Sequence, residues 1–141
     1  MNSYAMILIS KNENDAFQKA SKGAERYGDY NVSSCLNYAE EKELFDKTAK
    51  RMIEMYQGLI QANKDLIQKF EDKVPEDDFI LNQMKENLNR FEKGLYKYPD
   101  EWKIVFYDGV DFEHLDSIEY YENILKSYDN NNLYIAIIDT P

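Results

Sequence analysis

The residues best suited to chemistry crowd into one stretch, Phe106–Asp129, "FYDGVDFEHLDSIEYYENILKSYD". It holds seven acidic residues, four tyrosines and the only histidine of the chain. Two kinds of chemistry fit such a set. Carboxylates around an imidazole could move protons or hold a metal ion, whereas carboxylates alone could form a negative surface for a basic partner. In the sequence His114 stands among Asp108, Asp111, Glu113 and Asp116, and such neighbours favour its charged form. A general acid or base needs a substrate within hydrogen-bond reach, and no partner motif points to one. "DGVDFEHLD" also misses the calcium-loop pattern, in which glycine follows three alternating oxygen ligands. His114 therefore reads as a surface or capping residue. Cys35, the single cysteine, has no base near it in sequence and reads as a thiol without catalytic duty.

Metal chemistry depends on strands to position the ligands. Three short runs are rich in β-branched and aromatic residues: "YAMILIS" (Tyr4–Ser10), "WKIVFYD" (Trp102–Asp108) and "LYIAIID" (Leu133–Asp139). Their middles are continuously apolar, which predicts strands covered on both faces by helices. In a parallel α/β sheet ligands sit beyond the carboxyl ends of the strands, and those ends carry Ser10, Asp108 and Asp139. Converging aspartates there would hold Mg²⁺ and assist phosphoryl transfer or hydrolysis. Against this, Asp108-Gly109 is a turn pair, and the five scattered glycines form no phosphate loop.

Between the first two strands the pattern is helical. Ala16, Ala20 and Ala24 mark a helix over Glu13–Tyr27, Gly28 stops it, and "GDYNVSS" reads as a loop. A long helix is expected over Tyr38–Lys73, where Leu44, Thr48, Met52, Met55, Leu59, Ala62, Leu66 and Phe70 step by three or four. A second row, Phe45, Ala49, Ile53, Tyr56, Ile60 and Ile67, lies beside it. Pro75 breaks this helix and Asp77 or Asp78 caps the next. That next helix carries Leu81, Met84, Leu88, Phe91 and Leu95 and ends around Gly94 and Pro99. The two should form an antiparallel hairpin over 39–97. So wide a stripe suits a helix with neighbours on two sides; it also suits a coiled-coil seam joining two copies of the chain as a homodimer.

"YDGVDFEHLD" reads as a loop and Ser117–Tyr128 as a helix, giving a strand–helix–strand unit over 100–141 joined by a right-handed parallel crossover. The expectation is one α+β (or small α/β) domain over 1–141, with a three-stranded sheet packed with helices that include the long hairpin.

Charge narrows the function. The chain has 141 residues and a net charge of -10. Residues 1–99 hold 17 acidic and 15 basic residues, whereas 100–141 hold ten acidic and two basic, a net of -8. Direct binding of nucleic acid needs a basic face, so it is not expected. No apolar run approaches the roughly 20 residues of a membrane span, and the start lacks the marks of a signal peptide. The lone cysteine excludes an internal disulfide, and the setting reads as cytoplasmic. No cofactor is implied. On the expected helix Asp116, Glu119 and Glu122 follow the i, i+3 rule and share a face. Tyr120 stands beside them, and Asp108, Asp111 and Glu113 extend the charge into the preceding loop. Carboxylates one helical turn apart repeat at about 5.4 Å, of the same order as the roughly 3.4 Å step between phosphates of one strand. Such a row can imitate a nucleic-acid backbone.

In size and charge the chain resembles the small acidic inhibitors of phages and mobile elements, such as anti-CRISPR and anti-restriction proteins, and the immunity proteins that neutralise nuclease toxins. The likeness is one of composition. It implies a non-catalytic protein that blocks a basic, nucleic-acid-handling partner, with Asp108, Asp111, Glu113, Asp116, Glu119, Tyr120 and Glu122 as the contact residues.

Overall fold

Strand β1 (Ser3–Ile9) has its five central residues fully buried, so both of its faces are covered. The computed structural model describes residues 3–28, 31–93 and 102–139. Along the chain follow α1 (Glu13–Glu25), β2 (Asn31–Asn37), α2 (Lys42–Glu71), α3 (Phe79–Glu92), β3 (Ile104–Tyr107), β4 (Phe112–His114), α4 (Ile118–Ser127) and β5 (Leu133–Asp139), with a 3-10 turn at Asn130–Asn132 before β5. The fold is α+β, with a mixed five-stranded sheet in the order β2-β5-β1-β3-β4 and four helices among the described residues. Strands β1 and β3 are parallel and the other neighbours antiparallel.

The expected three-stranded sheet is therefore wrong by two strands. Strand β2 comes from "NVSSCLN", whose first four residues close the segment "GDYNVSS" expected as a loop. It is an edge strand, largely exposed, and so needs no apolar run. Strand β4 is only three residues long and follows the Asp108–Asp111 turn, where the sequence was also read as loop. This short strand overturns the parallel crossover as well. Because β4 reverses the chain before α4 reverses it again, β5 begins opposite Ile9 and runs antiparallel to β1 and β3.

Alternate residues of the central strands face opposite layers, as the period-2 pleat requires. Tyr4, Met6, Leu8, Val105, Tyr107, Tyr134, Ala136 and Ile138 pack under α1 through Ala16, Ala20 and Ala24. These small residues let α1 lie close to the sheet: a Cβ added at Gly23 would sit 3.0 Å from Tyr107 Cε2. On the other face Ala5, Ile7, Ile104, Phe106, Leu133 and Ile135 meet Phe45, Ala49 and Ile53 of α2 and Tyr121 and Ile124 of α4.

Helix α2 has 30 residues, about 45 Å at 1.5 Å per residue, and only its first half lies on the sheet. Its second half pairs with α3, where Ile67 and Leu81 are buried. The Asp78 carboxylate caps α3 by accepting from the Leu81 N–H at 3.0 Å. Ion pairs Lys64–Glu92 (3.5 Å) and Lys85–Glu71 (2.8 Å) show that the two helices run antiparallel. The helix end expected at Gly94 and Pro99, and the last residues of the 39–97 hairpin, lie outside the described residues. None of the described helices is long and apolar enough to cross a membrane.

Candidate functional site

The acidic residues of the C-terminal unit occupy the β3–β4 hairpin and α4. At the turn end of the hairpin, the Asp108 carboxylate accepts from the backbone N–H groups of Asp111 (2.7 Å) and Val110 (2.8 Å). Those hydrogen bonds, helped by the nearby charge of Arg26, hold its pKa below the ordinary carboxylate value. Gly109 takes the positive φ of 98° that the turn requires. Arg26 donates from Nη1 to the Val110 carbonyl, with its guanidinium 5.4 Å from the Tyr107 ring centre and 5.9 Å from that of Phe112. Asp108 thus folds the turn, and Asp111 is exposed beside it.

His114 lies toward the other end of the hairpin, paired with Val105. Its ring stacks on Trp102 at 5.5 Å and meets Tyr56 of α2 edge-on at 4.2 Å. It is not the surface or capping residue expected from sequence. Strand pairing and pleat remove it from Asp108 and Asp111 and press it between two aromatic rings. Its Nε2 is buried without a hydrogen-bond partner. Burial lowers the imidazole pKa, outweighing the charge of Asp116 and a hydrogen bond with the Trp102 backbone.

Helix α4 carries Glu119 and Glu122; Asp116 precedes the cap, so the expected i, i+3 row of Asp116, Glu119 and Glu122 on one helix face loses its first member. Ser117 caps the helix by accepting from the Tyr120 N–H at 3.1 Å. The inner face holds the fully buried Tyr121, whose ring stacks on Phe45 at 6.3 Å and whose hydroxyl donates to the Asp46 carboxylate of α2. The Tyr120 hydroxyl donates to Glu113 across to β4; burial and that carboxylate push the phenol pKa up to about 12. The charge of Asp116 is also felt at Tyr120, and the Asp116 carbonyl accepts from Gln57 Nε2 at 3.2 Å. Glu119 and Glu122 are exposed, and the charge of Glu122 is felt at Tyr121.

The structure accordingly brings Glu113, Asp116 and Tyr120 together, with Glu119 in the first turn of α4 and Glu122 three residues further along it. Asp108 and Asp111 lie at the turn end of the hairpin, each two strand residues from the Phe106–Glu113 pair, or roughly 7 Å along the strands. All six carboxylates, Asp108, Asp111, Glu113, Asp116, Glu119 and Glu122, are exposed. The three ion pairs among the described residues, Asp15–Lys19, Lys64–Glu92 and Glu71–Lys85, include none of them. Sequence reasoning missed Arg26, Asp46, Tyr56 and Gln57, which touch this unit from far along the chain and leave no local signal.

The convergence needed by the metal reading is not present. Leu8 pairs with Tyr107, so Ser10 and Asp108 sit at one end of the sheet, whereas Asp139 pairs with Ser3 at the other. The Ser10 hydroxyl donates to the Asn12 carbonyl (3.0 Å) and the Asp15 carboxylate (2.6 Å), fastening the start of α1. No cluster of three or more His, Cys, Asp or Glu among the described residues has a metal-binding arrangement. Cys35 lies half-buried on β2, where burial chiefly, and Glu13 in addition, raise its pKa to about 11. Thiolate is thus disfavoured. No protein-family model, curated protein or solved structure matches the chain.

Proposed function

We propose that the chain is a non-catalytic binding protein that presents the β4–α4 face to a basic, nucleic-acid-handling partner and blocks it. This is the mode of a phage anti-defence inhibitor or of an immunity protein against a nuclease toxin, and it belongs to a cytoplasmic setting. The observation that carries the reading is a set of exposed carboxylates without ion pairs among the described residues, held on a backbone that is itself firmly anchored. Like charges a helical turn apart cost a few tenths of a kcal/mol, a cost that a cationic partner relieves. Tyr120 adds an aromatic contact of the kind enriched at interfaces. The contact set is Asp111, Glu113, Asp116, Glu119, Tyr120 and Glu122; Asp108 leaves it because its carboxylate is occupied in its turn.

Electrostatic attraction of this kind speeds association and weakens as salt rises. The test is affinity capture from host extract with the wild-type chain and with the D116N/E119Q/E122Q variant. The reading expects a basic protein held by the wild type, released by duplex DNA or by salt, and not held by the variant. Equal capture by both chains, or release by neither competitor, contradicts it.

A further inference from the structure

We propose that the exposed apolar stripe of α2 is the seam of a symmetric homodimer, with α2 of a second copy packed antiparallel along it. Helix α2 has two apolar rows. One, Phe45, Ala49, Ile53, Tyr56 and Ile67, is buried within the chain. The other is not: Leu44, Met55, Leu59, Leu66 and Phe70 are 48, 43, 42, 46 and 37% exposed. Two shallow grooves border this row. One of about 430 Å³ runs between α2 and α3, past Leu59, Leu66, Met84 and Leu88. The other, about 440 Å³, lies between Leu44, Met52, Met55 and Ile137 at the sheet.

Three observations point to a second copy as the occupant. The first is spacing. Met52, Met55, Leu59, Ala62 and Leu66 step by three and four, the pattern of a two-helix seam. The second is self-complementarity, as a two-fold interface requires. An axis crossing α2 between Leu59 and Ala62 sets Leu59 against the partner's Ala62 and Leu66 against the partner's Met55. Large side chains then face smaller or flexible ones. The same register brings Arg51 beside the partner's Asp72. Both residues are exposed and neither belongs to an ion pair among the described residues; symmetry forms the contact twice. The third is area. Taking about 200 Å² for a fully exposed residue of this size, the five exposed side chains offer roughly 450 Å² per copy. That is a little over half of the ~800 Å² per partner of a standard interface, matching the usual apolar share.

The test is sedimentation equilibrium of the full chain over a concentration series. A dimer is expected, and Leu59→Glu and Leu66→Glu should each weaken it by roughly tenfold or more while leaving the circular dichroism spectrum unchanged. Arg51→Asp and Asp72→Arg should each weaken it too, and the R51D/D72R double variant should recover most of the loss. A monomer at every concentration overturns the proposal. So does a dimer indifferent to Leu59→Glu, or a double variant no tighter than the weaker single one.

Discussion

The α2–α3 hairpin and the β4–α4 unit both expose dense charge on helices, yet they treat it in opposite ways. In the hairpin two ion pairs, Lys64–Glu92 and Lys85–Glu71, join one helix to the other. In the β4–α4 unit Glu113, Asp116, Glu119 and Glu122 stand exposed without an ion pair among the described residues, and Lys126 is the one basic residue of α4. Matched charge helps set the register of two helices. Charge without an ion pair is the feature available for recognition.

The comparison assumes that the β4–α4 face is rigid, and the largest expected effect tests this. Tyr121 anchors α4 on Phe45 and Asp46. Tyr121→Ala should therefore cost about 3–5 kcal/mol, read as a lower urea midpoint. A loss below about 1 kcal/mol would mean that α4 is only loosely held and presents no fixed row of charge.

The next effect is pH-dependent. Burial holds the folded-state pKa of His114 below 6.5, so below pH 6.5 the unfolded chain binds a proton that the folded chain resists. Stability should be flat above that value and fall as pH drops toward the folded-state pKa. Thermal midpoints measured between about pH 5 and pH 7 should show this slope, and His114→Phe should remove it. A wild-type slope of the opposite sign would place a compensating carboxylate beside the imidazole and join His114 to the acidic set.

The smallest effects address the charges themselves. Lys85→Met should lower stability by less than about 1 kcal/mol, because its ion pair is exposed. Glu119→Gln with Glu122→Gln should raise it by a few tenths of a kcal/mol. Both differences should shrink in salt. If removing these two carboxylates destabilises the chain as much as Lys85→Met does, the contrast between the regions is lost.

The parts of this architecture legible in the sequence are those where local pattern and tertiary environment agree. The apolar runs at Tyr4–Ser10, Trp102–Asp108 and Leu133–Asp139 supply the three central strands, because strands covered on both faces need continuous apolar residues. Edge strands escape this logic. "NVSSCLN" pairs on one side only and "FEH" is too short to show a period, so neither announces itself. Missing "FEH" had the widest consequences, since that one strand decides the direction of β5 and hence which aspartates meet. The acidic face was legible as composition and helical spacing, but its division was not. Asp108 and Glu113 are five residues apart in sequence, yet one folds a turn beside Arg26 and the other joins Tyr120 across to α4. The Glu113–Tyr120 contact depends on β4 turning the chain back toward α4, and Arg26 reaches the turn from far along the chain; neither leaves a local pattern.

The most direct test of recognition by the β4–α4 face is an amide chemical-shift map of the isotope-labelled chain titrated with its captured basic partner. The account predicts shifts centred on Glu113, Asp116, Glu119 and Glu122, fading as salt is raised, with the distal hairpin around Leu81 unmoved. Shifts confined to α2 and α3, with the acidic face silent, would contradict it.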